Sequence, residues 1–218
     1  AKARGSFMQG HLRAVGILPN GPVPAAEQQA TDLAWRLLLS RTGAVVSGTA
    51  IDWTKCYDYI TTALQRRLGR LCRLPATLVE PMLAAYSMER QVYLNGMIGP
   101  ATKPTRGLAA GCHRAPDWLA ILSYVLANEM QTHVLGCSPR PYVDDLTVDI
   151  EHPDDDDGRE SAVDAVATMG VIVQEYACAW NLQVNTGKSR RFSTSAAVRA
   201  SLAIAPGYPV ATAFKDLG

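Results

Sequence analysis

The order of apolar and polar positions predicts helices interleaved with short strands. Apolar residues recur every three or four positions over residues 27–39 and 115–134, and again in the stretches that follow Asp58 and Pro75, which is typical of amphipathic helices. The β-branched run at 44–51 predicts a strand instead. The chain therefore combines both kinds of element from its first third onward.

Two tight turns are the most specific local signals. Asn95-Gly96 favours a type I′ turn, in which both central residues have positive φ, and so predicts a hairpin over residues 91–98. Residues 140–150 predict two strands hinged at Asp144-Asp145. The sequence thus predicts an α+β fold with antiparallel strands.

The last third of the chain continues this order of elements. An acidic loop at 154–157 precedes a predicted helix at 158–180. A short strand at 182–184 and a turn closed by Lys188 follow it.

Composition restricts the class of protein. A chain of 218 residues with 48% hydrophobic and 19% charged residues is an ordinary globular sequence, which excludes disordered and collagen-like chains. The longest apolar stretches, such as 118–130, fall short of the roughly 18 residues of a membrane-spanning helix, so we expect no membrane association. The five cysteines are odd in number and never spaced C-x-x-C, which favours an intracellular, reducing compartment, nuclear or cytoplasmic.

The net charge of +1 conceals an asymmetry along the chain. Residues 1–115 contain 14 basic and 6 acidic side chains, whereas residues 116–218 contain 7 basic and 14 acidic ones. A basic half suits a polyanion and an acidic half suits metal ions, although solvated surface charge explains such runs equally well. Specific residues must therefore decide the chemistry.

Three aspartates at predicted strand ends are the strongest candidates. Asp144 and Asp145 are adjacent, and like charges about 4 Å apart cost roughly 4 kcal/mol at an effective dielectric constant of about 20. A divalent cation would offset that repulsion, and hard oxygen ligands favour magnesium. A bare Asp-Asp pair is also a good turn, but Asp52 adds a third carboxylate at the end of the 44–51 strand.

The order of four motifs resembles the palm of the reverse transcriptases, above all those of non-LTR retrotransposons and group II introns. The motifs, in the order of the family's motifs A to D, are DWTKCYD at 52–58, GLAAGCHRAP at 107–116, YVDD at 142–145 and NTGK at 185–188. Each is short, so their joint order and spacing carry the resemblance. It extends from the predicted helix near Leu33 to FKDLG at 214–218, which looks like the start of motif E.

The resemblance implies an α+β polymerase palm, in which a ferredoxin-like antiparallel sheet is backed by helices, with partial fingers and no thumb. Residues 1–50, whose first thirty are rich in turn formers, would form partial fingers and an irregular entry segment. Residues 51–190 would form the palm with a fingers insertion at about 70–105, and residues 191–218 the end of the palm and the start of motif E. The thumb, and any nuclease, would belong to the remainder of a longer polyprotein.

The activity implied is RNA-directed DNA polymerisation by a mobile element, on a primed RNA or DNA template with deoxynucleoside triphosphates. Asp52 and Asp144 would bridge two Mg²⁺ ions, with Mn²⁺ as an alternative, and Asp145 would assist. The Trp53 carbonyl would complete a coordination sphere. Lys188 would neutralise or protonate the leaving pyrophosphate.

The same resemblance implies a nucleotide-binding set. Tyr57 would stack beneath the sugar of the incoming nucleotide and exclude a 2′-hydroxyl. Gly107 and Gly111 would let the backbone approach the nucleotide, and Arg106 would contact phosphate. Each residue also has an ordinary structural explanation, as a core tyrosine, turn glycines or a solvated arginine.

Departures from the family pattern keep two alternatives open. Ala110 stands where the family usually has glutamine, and the Cys112-His113-Arg114 run replaces the commoner small-polar and proline run. A catalytically retired polymerase serving as a nucleic-acid-binding or scaffold module is one alternative. An RNA-directed RNA polymerase is the other, although those enzymes typically place an aspartate where this chain has Tyr57.

Overall fold

The computed structural model describes residues 2–15, 34, 43–108, 112, 114–142 and 145–211, with backbone only for 2–6 and 142. The chain divides into two units. We call Ala1–Gly21 with Lys55–Leu122 the helical unit, and Pro22–Thr54 with Ser123–Gly218 the sheet unit. The domain boundaries expected from the sequence remain a prediction.

The described elements are helices interleaved with strands, as the sequence predicts, although the entry segment, which lacks a regular apolar pattern, also contains a helix at Lys2–Ala14. In chain order they are α1 (Lys2–Ala14), β1 (Ala44–Ile51), α2 (Cys56–Tyr59), α3 (Thr62–Leu71), α4 (Ala76–Tyr86), β2 (Tyr93–Leu94), β3 (Met97–Ile98), α5 (Ala115–His133), β4 (Ser138–Tyr142), β5 (Asp145–Pro153), α6 (Asp156–Trp180), β6 (Arg190–Ser193) and α7 (Ala196–Ile204).

The sheet unit contains a four-stranded antiparallel sheet in the order β4-β5-β1-β6. The central strand β1 pairs with β5 along its whole length, from Ala44 opposite Pro153 to Ile51 opposite Leu146. On its other side β1 pairs with β6 over four positions. Most of β1 is buried, because it has a neighbour on both edges and its residues are small or β-branched.

Helices α6 and α7 contribute to the core of the sheet unit. Val45 of β1 packs in one buried cluster with Ala162 and Val166 of α6 and with Val198 and Leu202 of α7. Burial of this apolar surface is the main term that holds helices to the sheet. The fold is therefore α+β, an antiparallel sheet backed by helices, as expected from the sequence.

Helix α6 is longer than the apolar stretch at 118–130, which is too short to span a membrane. The Asp155 side chain caps its first turn by accepting from the Gly158 amide at 2.7 Å, and Asn181 ends it in a left-handed conformation. By length and composition alone, α6 is the one helix of the described residues that could cross a membrane. Its apolar face forms the core of the sheet unit, which is typical of the core helix of a globular domain.

In the helical unit, α3 and α4 contact each other. Thr61 caps α3 by accepting from the Leu64 amide at 3.1 Å. The β2–β3 hairpin has positive φ at both Asn95 and Gly96, so the predicted hairpin is confirmed.

Three predicted elements differ in the structure. The helix expected from Asp58 onward is split, because Ile60 is extended between α2 and α3. Asp145 was expected in the hinge but begins β5, where it pairs with Tyr142. The strand expected at 182–184 is reduced to a single bridge between Val184 and Trp53.

The structure tests the predicted acidic loop but not the first predicted helix. The loop is shorter than expected, because α6 already begins at Asp156. The helix expected at 27–39 lies outside the described residues except for Ala34.

Candidate active site

Two of the three predicted carboxylates occupy neighbouring positions at one end of the sheet. Ile51 and Leu146 form the last pair between β1 and β5, so Asp52 and Asp145 are the next positions in that register. The Asp52 side chain is 30% exposed and Asp145 is exposed, so solvent and ions can reach both.

The third predicted carboxylate, Asp144, lies outside the described residues, as do Gly111, Ala110 and His113. Within the part of the chain that the structure describes, no group of three or more metal-ligating side chains comes together. The structure therefore places Asp52 and Asp145 next to the last pair of β1 with β5, and the position of Asp144 remains a prediction.

The turn that carries Lys188 lies beside Asp52. Lys188 Nζ is 3.9 Å from Asp52 Oδ1, with 73% of the lysine side chain exposed. The turn closes through the Lys188 amide, which donates to the Asn185 carbonyl at 3.1 Å. The Asn185 amide in turn donates to the Asp52 carbonyl at 2.8 Å. The predicted motif D lysine and motif A aspartate are thus brought together.

Ser189 is a residue that the sequence analysis missed. Its side chain is fully buried, and its Oγ accepts from the Asp52 amide at 3.1 Å. The only sequence signal is its position directly after Lys188, because the contact joins residues 137 positions apart.

The Trp53 side chain is buried in the sheet unit. Its indole ring lies 6.3 Å from the ring of Tyr176 on α6, and Tyr176 lies 5.7 Å from Trp180. The Trp53 backbone pairs with Val184. The indole packs against α6, and the role predicted for the Trp53 carbonyl remains a prediction.

The helical unit brings together three of the predicted nucleotide-binding residues. The Tyr57 carbonyl accepts from the Leu108 amide at 2.9 Å, and the Gly107 amide donates to the Ile60 carbonyl at 2.9 Å. Gly107 has φ of +92°, a conformation that favours glycine. Arg106 directly precedes it, so Tyr57, Arg106 and Gly107 form one local cluster.

The Arg106 guanidinium has an aromatic partner within this cluster. It lies 5.0 Å from the centre of the Tyr59 ring, and the Arg106 backbone bridges to Thr61. Arg106 is exposed, so this contact leaves part of its surface accessible to a phosphate.

Cys112, the first residue of the run that departs from the family pattern, contacts a tyrosine. Its Sγ lies 3.0 Å from the Tyr86 hydroxyl. Burial, together with this contact, raises the pKa of Tyr86. The neutral phenol is therefore favoured next to the thiol.

The charge asymmetry of the sequence follows the two units. The helical unit contains 12 basic and 4 acidic residues, and the sheet unit contains 9 basic and 16 acidic ones. Positive charge of this extent is typical of a polyanion-binding surface, and the acidic unit holds the candidate metal ligands.

No protein-family model and no curated protein matches this chain. Solved telomerase structures do match it. Telomerase from Candida tropicalis in complex with a TWJ fragment of telomeric RNA has a TM-score of 0.64 at 13% identity, over 88% of this chain and 33% of that one. The apo enzyme truncated from its C-terminal domain has a TM-score of 0.59 at 15% identity, over 89% and 41%. Telomerase from Candida albicans, also with a TWJ fragment, has a TM-score of 0.58 at 13% identity, over 87% and 34%.

This chain has a reverse-transcriptase-like fold. Sequence identities of 12–15% to these telomerases support a shared fold and do not establish a shared activity. The chain spans between about a third and two-fifths of the telomerase chains that it matches.

Proposed function

We propose that the chain is the catalytic part of an RNA-directed DNA polymerase. The observations that support this proposal are that Asp52 and Asp145 adjoin Ile51 and Leu146, the last pair of β1 with β5, and that Lys188 lies beside Asp52, on a reverse-transcriptase-like fold. Carboxylates and a lysine in this arrangement suit nucleotidyl transfer, in which negative charge develops on a leaving pyrophosphate.

The residues present fit a divalent cation. Asp52 and Asp145 offer hard oxygen ligands next to the last pair of β1 with β5, and both are accessible. Asp144, the residue before Asp145, would supply a third carboxylate. We expect these residues to hold two Mg²⁺ or Mn²⁺ ions, which when bound would activate the primer 3′-oxygen and stabilise the leaving group.

The remaining roles belong to side chains of the two units. Lys188 would neutralise pyrophosphate, because its exposed ammonium can leave Asp52 for a stronger anion. In the helical unit, Tyr57 would lie beneath the sugar, and Arg106 with Gly107 and Gly111 would contact phosphates. The basic helical unit supports a primed RNA or DNA template as the polyanionic partner.

The biological setting is also a proposal. The motif pattern favours a mobile element of the non-LTR or group II type, and the likeness to telomerases, two of them in complex with telomeric RNA, supports a nucleic-acid partner. None of the five cysteines, all of which lie among the described residues, forms a disulfide, which supports an intracellular, reducing compartment, nuclear or cytoplasmic.

The decisive experiment is primer extension on an RNA template with deoxynucleoside triphosphates and Mg²⁺. We expect Asp52→Asn, Asp144→Asn and Asp145→Asn to lower kcat roughly a hundredfold or more, because metal coordination contributes several kcal/mol to transition-state stabilisation. The control is Asp154→Asn, at the far end of β5, where the carboxylate pairs with Arg159 at 2.9 Å.

The outcomes separate the candidate functions. Full activity of Asp52→Asn, or an equal loss in Asp154→Asn, would contradict the proposed site. A wild-type chain that binds primer–template in a salt-dependent manner without extending it under any divalent cation would favour the nucleic-acid-binding module.

A further inference from the structure

The pairing register changes at Asp52, the residue that follows β1. The last pair of β1 with β6 joins Ala50 to Arg190, and the isolated bridge beyond it joins Trp53 to Val184. The three steps from Ala50 to Trp53 therefore correspond to six steps from Arg190 back to Val184. The surplus residues must leave the regular pairing, as in an enlarged β-bulge.

Those surplus residues form the turn that carries Lys188. The Ser189 amide donates to the Asn185 carbonyl at 2.8 Å, one residue beyond the bond made by the Lys188 amide. Bulges are frequent beside active sites, where they redirect a side chain. Here the bulge projects Lys188 to within 3.9 Å of Asp52.

A residue opposite a bulge loses its regular backbone hydrogen-bond partner. At Asp52 the side chain of Ser189 takes the place of that partner. Ser189 Oγ lies 3.1 Å from the Asp52 amide and 3.4 Å from the Asp52 carbonyl. The same carbonyl accepts from the Asn185 amide. Both backbone polar groups of Asp52 are therefore held by this one turn, and the hydroxyl that holds them is fully buried.

We infer that Ser189 is a positioning residue for Asp52: its buried hydroxyl fixes the backbone of that aspartate where the pairing register changes, and so sets the direction of the carboxylate that would hold the divalent cation. This inference rests on the proposed function. Because Ser189 and Lys188 share one turn, the same hydroxyl also holds the turn that carries the lysine beside Asp52.

The energetic reason is that hydrogen-bond partners of a metal ligand restrict its orientation. Loss of such a partner typically lowers metal affinity roughly 10–100-fold. Loss of a buried hydroxyl elsewhere in the sheet leaves the ligand in place and affects only stability. Metal affinity therefore separates a positioning role from a purely structural one.

The experiment measures Mn²⁺ affinity of the 218-residue chain by electron paramagnetic resonance, without nucleotide or primer. Ser189→Ala is expected to weaken binding roughly tenfold or more, and Ser189→Thr, which keeps the hydroxyl, to restore most of it. The matched control is Ser47→Ala, because Ser47 is also fully buried on β1 and its hydroxyl lies 2.8 Å from Ser193 Oγ. It is expected to keep wild-type affinity.

A second measurement reports the position of Asp52 directly. We expect the Asp52 amide to exchange with solvent faster in Ser189→Ala, as measured by nuclear magnetic resonance, and to be unaffected in Ser47→Ala. Equal Mn²⁺ affinity and equal Asp52 exchange in Ser189→Ala and Ser47→Ala would overturn the inference. If Asp52→Asn still abolishes Mn²⁺ binding in that case, the proposed function survives. If Asp52→Asn binds Mn²⁺ like the wild type, the proposed site itself is wrong, and the role of Ser189 falls with it.

Discussion

Lys188 lies beside Asp52, with its Nζ 3.9 Å from Asp52 Oδ1, although a bulge separates the turn that carries it from the regular sheet. The lysine side chain is 73% exposed and the aspartate 30% exposed, so their attraction contributes little to folding. A weak, solvated contact of this kind can be exchanged for another partner. The pair therefore suits a lysine that neutralises Asp52 at rest and a phosphate during turnover.

This exchange predicts opposite effects of one substitution on binding and on turnover. Lys188→Ala removes the cation that competes for Asp52, so Mn²⁺ affinity should rise by about two- to threefold, while kcat for primer extension should fall by roughly tenfold or more. Lys188→Arg keeps the charge and should leave Mn²⁺ affinity unchanged. A fall in Mn²⁺ affinity with Lys188→Ala would show that the lysine supports the site instead of competing for it.

The sheet could be predicted from the sequence because its strands carry local signals. The run that ends at Asp52 is β-branched, and the apolar residues that follow Asp145 alternate with polar ones. The exact hinge could not be predicted, because both Asp144 and Asp145 tolerate turns. The register of β4 on β5 makes Asp145 a strand residue by pairing it with Tyr142.

The contacts that complete the site depend on pairing between distant segments. The hydroxyl of Ser189 reaches Asp52 only because residues 182–193 return beside β1 with a bulge, and nothing local to Ser189 indicates this. Arg106 was predicted as a phosphate contact from its position before Gly107. Its packing over Tyr59 depends on the bridge between Arg106 and Thr61, which is equally non-local.

Tyr57 is predicted to discriminate between deoxyribonucleotides and ribonucleotides. Its backbone is fixed by the bond from the Leu108 amide, and its side chain is half-buried, so the ring is held in place while part of it stays accessible. Tyr57→Val should raise ribonucleotide use relative to deoxyribonucleotide use about tenfold, measured as a ratio of kcat/KM values, if a clash of roughly 1.4 kcal/mol is relieved. An unchanged ratio in a folded, active variant would assign Tyr57 to packing alone. It would also reopen the choice between DNA and RNA as product.

The Arg140–Asp149 ion pair is predicted to stabilise the sheet unit. It links β4 to β5, the strand that begins with Asp145, and the Asp149 side chain is fully buried. Asp149→Ala leaves a largely buried arginine without this partner, which should lower the free energy of unfolding by about 3–5 kcal/mol in urea titrations. Asp154→Ala removes an exposed pair with Arg159 and should cost less than about 1 kcal/mol. Similar losses in the free energy of unfolding in both variants would show that burial does not determine how strongly the Arg140–Asp149 pair stabilises the sheet unit.

His152 is predicted to make stability depend on pH. It lies on β5 opposite Val45, its Nε2 is buried without a hydrogen-bond partner among the described residues, and burial lowers its pKa from the ordinary value of 6.5. Above pH 6.5 the imidazole is neutral in both states and contributes no pH dependence. As the pH falls below 6.5 the unfolded chain binds a proton that the folded chain does not. The free energy of unfolding should therefore fall, by at most about 1.4 kcal/mol per pH unit, until the lowered pKa is passed.

Urea titrations between pH 7.5 and about 5 measure this effect as a difference between variants, because other groups titrate in the same range. His152→Leu should reduce the loss of stability below pH 6.5. The matched control is His133→Leu, which removes an imidazole that is 55% exposed beside Glu129. It leaves His152 in place, so the loss of stability that His152 causes below pH 6.5 should remain. If the stability of His152→Leu falls with pH as steeply as that of the control, then His152 is protonated as readily in the folded chain as in the unfolded one. Its burial beside Val45 would then carry no electrostatic cost.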